Sequence, residues 1–250
     1  MENMNVFASD NTLCKKIKEA LTEEFRVQDK NGIYGYIQRH LTYSSNHLEG
    51  STLTEDQTAC LFDTKTLVPD NVIYRVKDVE EAQGHFLAFN HLIKTIDDEL
   101  SETLIKALHY CLKAGVFEDR ANGYAIGDYK QKINIAGDTE TSLPENVAGD
   151  MRELLAWYYK QEKTVAVLAE FHARFEKIHP FQDGNGRVGR LILFRESLLN
   201  DTCPIIIEDI QRLKYIRSLK AAQNGNNEDL INLFAENQIE IRHKFEYFFK

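Results

Sequence analysis

The chain has 250 residues, enough for one large domain or for one domain with a helical extension. Hydrophobic residues at 43% and the lack of any low-complexity tract exclude a chain that is mainly disordered. The formal net charge of −9 excludes general nucleic-acid binding, which draws most of its affinity from a basic surface.

Met1 to Asp10 shows no basic stretch followed by an apolar run, and no segment approaches 18 consecutive apolar residues. The expectation is therefore no membrane span, with the cytoplasm as the default compartment. Cys14, Cys60, Cys111 and Cys203 form no CxxC pair and match no zinc-ribbon spacing, so they are expected as reduced thiols.

Most of the chain repeats apolar residues at helical spacing, and the predicted class is mostly α. Ile33, Ile37, Leu41 and Leu48 share one broad helical face. That helix ends in Ser44-Ser45-Asn46-His47-Leu48-Glu49-Gly50, where Gly50 suits the residue just past a helix C-terminus. Glu49 then stands where the helix dipole disfavours a carboxylate, so a cation from elsewhere should compensate it. Ser45 lies one turn earlier, within reach of Glu49. Further helical stretches carry Phe86, Phe89, His91 and Ile93, and then Leu104, Leu108 and Leu112. From Tyr129 to Ile135 the alternation changes to the period of a strand, between the turn signals Gly127-Asp128 and Gly137-Asp138. A short β-hairpin inserted in a helical protein is expected there, stable only if packed on helices or completed by a partner strand. Val165, Leu168, Phe171, Phe175 and Ile178 form the clearest helical stripe, Leu191–Leu199 reads as a buried helix, and the chain reads helical again from Asp209.

The segment that bears on chemistry is His179 to Arg190, HPFQDGNGRVGR. Pro180 disfavours helical geometry at His179 and leaves its imidazole at a helix end facing a loop. Gly184-Asn185-Gly186 can bring backbone N–H groups close to an anion, and the helix that follows adds its positive N-terminal end. Arg187 and Arg190, three apart, point to one side and can each fork onto phosphate oxygens. Asp183 supplies one hard carboxylate oxygen, which suits Mg²⁺ held mainly by phosphates and water. A base, a metal ligand, an anion nest and two arginines are the parts that phosphoryl or nucleotidyl transfer requires. Each feature alone is ordinary, but eight specified positions coincide by chance at roughly one in 10¹⁰ per start.

His179 to Arg190 resembles the signature of the Fic family, H-x-F-x-[D/E]-G-N-G-R-x-x-R, at every fixed position. The resemblance implies a Fic-type helical bundle with a short β-hairpin flap. The inhibitory helix, about 32–50, would lie in an N-terminal region 1–65. A helical core 66–250 would follow, with the Fic domain proper at about 98–240. It implies a protein adenylyltransferase that moves AMP from Mg-ATP to a Ser, Thr or Tyr hydroxyl of a target protein. His179 would be the base, Asp183 the Mg²⁺ ligand, and Asn185, Gly186 and Arg187, with Gly184, the phosphate nest; Arg190 would hold the γ-phosphate. Phe181 would anchor the loop. Gly127-Asp128-Tyr129-Lys130 and Asn134, Ile135, Ala136 and Gly137 resemble the flap that grips a target by strand addition, although the family often has Arg where Lys130 stands. Tyr215 and Gln223 fall in a segment resembling the border of the adenine, where helix packing is an equal reading.

Ser45-x-x-x-Glu49-Gly50 resembles the family's inhibitory motif, [S/T]-x-x-x-E-[G/N], in its N-terminal class. Glu49 would pair with Arg190 and occupy the space of the γ-phosphate. Other readings stay open. Glu49 would instead help remove AMP from a modified target, the group moved would be UMP, phosphocholine or phosphate, or the chain would be a non-catalytic nucleotide-binding or helical interaction module. Gly186 favours nucleotide transfer, because phosphate-moving relatives replace that glycine, and the intact His179 favours an enzyme. A homo-oligomer would mask or expose the Glu49 helix.

Overall fold

A computed structural model describes residues 11–67, 73–137, 139–200 and 202–249. Eleven α-helices stand in chain order among them: α1 Asn11–Val27, α2 Ile33–Leu48, α3 Glu55–Asp63, α4 Val76–Lys94, α5 Glu102–Lys113, α6 Phe117–Ala121, α7 Pro144–Tyr159, α8 Val165–Ile178, α9 Asn185–Leu199, α10 Arg212–Gln223 and α11 Glu228–Phe248. Their starts follow local chemistry. Thr54 and Gln57 form a reciprocal capping box at α3, Ser101 and Thr164 cap α5 and α8, and Pro144 occupies the first turn of α7.

The centre of the fold is α9. Val188, Leu191, Ile192, Phe194 and Leu198 are buried, and α9 touches α2, α4, α5 and α8. A helix covered on all sides has no solvent face, which is why Leu191–Leu199 lacks a polar stripe. The ends α10 and α11 pair with each other and with α8. Thus the loop between α8 and α9 sits in the middle of the bundle, with α2 lying across the start of α9.

The expectation of a β-hairpin over Tyr129–Ile135 is corrected. Tyr129–Asn134 forms no strand, and the described residues contain only a two-residue antiparallel bridge, Ile135–Ala136 against Thr139–Glu140. The physical reason is that the segment bonds to the α8–α9 loop instead of to a partner strand. The Lys130 N–H donates to the Pro180 carbonyl at 2.8 Å, and Asn134 Nδ2 donates to the Phe181 carbonyl at 2.8 Å. Asp138 and Met1 to Asp10 lie outside the described residues. The four cysteines are thiols, with Cys14 Sγ 3.9 Å from Cys203 Sγ. Among the described residues no helix is long and apolar enough to cross a membrane.

Candidate active site

His179 ends α8 in the left-handed region, φ 53°, ψ 60°, unusual for a residue with a side chain. The turn is held from both sides: Phe181 is fully buried with its ring stacked on His109 at 3.9 Å, and Asn185 clasps the Phe181 backbone. The Phe181 N–H donates to Asn185 Oδ1 at 2.7 Å, and Asn185 Nδ2 returns a bond to the Phe181 carbonyl at 2.8 Å. Asn185 therefore builds the loop with its side chain. Gly184 caps α9 at φ 83°, and no side chain caps that N-terminus, so the first amides of α9 keep their donors for a ligand.

The imidazole geometry fixes the tautomer. His179 Nδ1 lies 3.2 Å from the Glu176 carbonyl, which can only accept, so Nδ1 carries the hydrogen and Nε2 keeps a lone pair. A helix C-terminus alone would favour the charged ring. Burial pushes its pKa down, and Lys130 adds to this against the opposing pull of the Glu176 carbonyl. The imidazole is thus neutral at pH 7, and the acid limb of a rate profile governed by it is expected below pH 6.5. A limb governed by His179 and centred above pH 7 would contradict this.

Arg190 engages α2 through Nε and Nη2. Its Nη2 donates to Glu49 Oε1 at 2.7 Å and to the Ser45 carbonyl at 2.8 Å, and its Nε donates to Ser45 Oγ at 3.0 Å. Ser45 thus serves Arg190 and not Glu49. The end of α2 is a Schellman turn, with Gly50 N–H bonded to the His47 carbonyl and Ser51 N–H to the Asn46 carbonyl. Gly50 takes φ 86° there, which leaves the Glu49 side chain, 38% exposed, at the mouth of the cavity. Burial works to raise the Glu49 carboxyl, but Arg190 and Arg187 overcome it and hold it below the usual carboxylate range. A Cβ on Gly186 would come within 2.1 Å of Glu49 Oε1, so the carboxylate lies directly on the nest. The cation that the dipole argument required is Arg190.

Asp183 is surrounded by cations that the sequence did not reveal. Lys113 Nζ stands 2.8 Å from Asp183 Oδ2, 2.6 Å from Glu81 and 2.6 Å from Asp119, with the Lys113 side chain 1% exposed. Arg187 bridges Glu81 at 2.6 Å and Asp183 at 3.4 Å, and Lys77 lies 3.7 Å from Asp183. Burial would raise the Asp183 carboxyl, but Arg187, Lys113 and Lys77 outweigh it and keep it ionised. Two α-helical stripes carried the clue: Glu81 shares a face with His85 and Phe89, and Lys113 with Ile105 and His109. A charge on a buried stripe signals a buried partner. Lys113→Met is expected to cost about 3–5 kcal/mol in denaturant unfolding, because it leaves three carboxylates short of a cation. A loss below about 1 kcal/mol would show that the lattice rearranges freely.

A cavity of about 490 Å³ lies between the end of α2, His179, Arg190 and α10, and Asp183, Asn185 and Arg187 are not part of its lining. Glu49, Glu176, His179, Gly186, Arg190 and Tyr215 line it, together with Gln223 and Gly137. The Tyr215 hydroxyl pairs with His172 Nε2 at 2.7 Å. Of the expected flap residues, Asn134 fastens the segment to the signature loop; the side chains of Ile135 and Ala136 lie outside the described part.

The bundle thus brings a neutral histidine, the uncapped start of α9 and Arg190 to one cavity. Residues 99–195 match the sequence model of the Fic/DOC family, so this stretch of the chain resembles a Fic domain. It is 26% identical over 204 residues to a protein of Aquifex aeolicus named "Probable protein adenylyltransferase", and 27% identical over 203 residues to "Protein adenylyltransferase Fic" of Nematostella vectensis. These matches cover 78% and 77% of this chain but only 60% and 45% of those relatives. The fold is that of a Fic domain containing signaling protein from Bacteroides thetaiotaomicron, with a TM-score of 0.73, 22% identity, and 92% of this chain and 93% of that one covered.

Proposed function

We propose that the chain is a protein adenylyltransferase that moves AMP from ATP to a hydroxyl side chain of a target protein, held inactive by Glu49. The observation that carries this reading is the neutral His179, with Nε2 free, at the edge of a nest whose arginine is occupied by a carboxylate. The target hydroxyl gives its proton to Nε2 and its oxygen attacks the α-phosphorus. The bond from that phosphorus to the bridging oxygen breaks, and pyrophosphate leaves. The open amides at the start of α9 receive the developing charge. Arg190 receives the γ-phosphate once Glu49 has left.

Among the described residues no group of three His, Cys, Asp or Glu could hold a metal ion. Mg²⁺ therefore fits here only through Asp183, completed by nucleotide oxygens and water, and the ionised Asp183 suits that role. When bound, Mg²⁺ neutralises phosphate charge. The segment Asn134–Gly137, fastened to the signature loop, is the docking edge for an extended stretch of the target. The inhibitory helix is α2, fixed to the chain before α10 by His47 on Asp209 at 3.0 Å and to the first residue of α10 by Arg212 Nε donating to the Leu48 carbonyl at 3.1 Å.

ATP labelled at the α-phosphate tests the reaction against ATP labelled at the γ-phosphate, using Glu49→Gly protein. Protein-bound label from the α position alone is the expected result. Label from the γ position would make the protein a phosphate carrier instead, and AMP release from a premodified target that needs Glu49 would make it an AMP-removing enzyme.

A further inference from the structure

Arg212, Tyr215 and Lys220 also line the cavity, and with them stands one buried carboxyl that neither the signature nor the Glu49 contact uses. Glu176 stands one turn before His179 on α8, and its carboxyl lines the cavity beside Arg190 and Tyr215. It is 6% exposed, and its Oε1 has no hydrogen-bond partner. That oxygen rests on the backbone of Gly189, where a Cβ would come within 2.4 Å, so the glycine makes room for it. An ionised carboxylate would be badly placed here. It would be buried beside the like charge of Glu49, and Arg190 already spends Nε and Nη2 on Ser45 and Glu49. Oε1 is sealed against Gly189, so the carboxyl meets the cavity through its other oxygen, from which a neutral acid can donate.

We propose that Glu176 is a further nucleotide-binding residue of this site: as a neutral carboxylic acid it donates a hydrogen bond to the phosphate end of the bound nucleotide, next to Arg190. This rests on the nucleotide reading of the cavity. Burial, with Glu49 adding and Arg190 opposing, pushes the Glu176 carboxyl up to about 8. Deprotonation replaces a donor by a negative charge beside phosphates, so affinity falls as pH rises through that value.

The other groups facing Glu176 hold their charge between pH 7 and pH 9. On α8, burial pushes His172 down to about 3 and also lowers His179, so both stay neutral. From α10, Tyr215 is pushed up by burial. From α2 and α9, Glu49 and Arg190 hold each other ionised against the cost of burial. Lys130, behind His179, is pushed down to about 8 by burial, but its titration is common to the parent and any Glu176 variant.

The test is calorimetric binding of ADP, without metal, at pH 7 and pH 9, to the parent, Glu176→Gln and Glu176→Ala. ADP lacks the γ-phosphate whose space Glu49 takes. Parent affinity is expected to fall about tenfold between the two pH values, the change in the protonated fraction of a group near 8. Glu176→Gln keeps an N–H donor and cannot ionise, so it should match the parent at pH 7 and stay within about twofold of that at pH 9. Glu176→Ala should bind severalfold more weakly than the parent at pH 7. Equal pH dependence in parent and Glu176→Gln overturns the role of Glu176 and leaves the nucleotide site standing. No ADP binding by folded parent at either pH overturns the nucleotide reading and this inference with it. If Glu176→Gln does not fold, infrared spectra of the parent decide: a protonated-carboxyl band at pH 7 that shifts on ADP binding is expected, and its absence overturns the proposal.

Discussion

Glu49→Gly is expected to raise AMP transfer by roughly 10- to 100-fold, measured as the initial rate of label transfer from ATP labelled at the α-phosphate. The size follows from what is removed. Arg190 Nη2 donates to Glu49 Oε1 at 2.7 Å. A hydrogen bond between charged groups is worth about 1.5–3 kcal/mol, and each 1.4 kcal/mol is a factor of ten. Glycine also clears the oxygen that lies over Gly186. The pH sign is fixed by the same pair. The Glu49 carboxyl is held below its ordinary range, so the contact persists at all pH values above that range and is lost only as pH falls through the lowered value. Transfer by the parent should therefore not rise on going from pH 7 to pH 6. An unchanged rate in Glu49→Gly that still binds ATP would remove Glu49 from any inhibitory role.

His179→Ala, placed in the Glu49→Gly background, is expected to lower the transfer rate by about 10²–10⁴-fold while ATP binding is kept. Its ring is the only part lost, because the turn is held by Phe181 on His109 and by Asn185 on the Phe181 backbone. Comparable rates in the two proteins would show that another group takes the proton.

The signature loop was legible in the sequence because its chemistry is local. Pro180 after His179, the glycines 184 and 186, and Arg187 and Arg190 fall within twelve residues, and the chain cannot separate them far. Glu49 was legible by a different route, since a carboxylate just before a helix-ending glycine demands a cation from elsewhere. What the sequence hid is long-range. Glu81 and Lys113 reach Asp183 from α4 and α5, and nothing in their local spacing names that partner. Arg187 was expected to face a ligand, but its guanidinium is buried on Glu81 and Asp183. The segment Tyr129–Asn134 alternates like a strand and is not one, because its donors go to the signature loop. Periodicity reports which side chains share a face; it does not report where the backbone finds its hydrogen bonds.

The most direct test of the account is the intact mass of the parent, Glu49→Gly and Glu49→Gly/His179→Ala after incubation with Mg-ATP. The account predicts a gain of one or more AMP units in Glu49→Gly alone. A gain that survives loss of His179, or a parent modified as fully as Glu49→Gly, would contradict it.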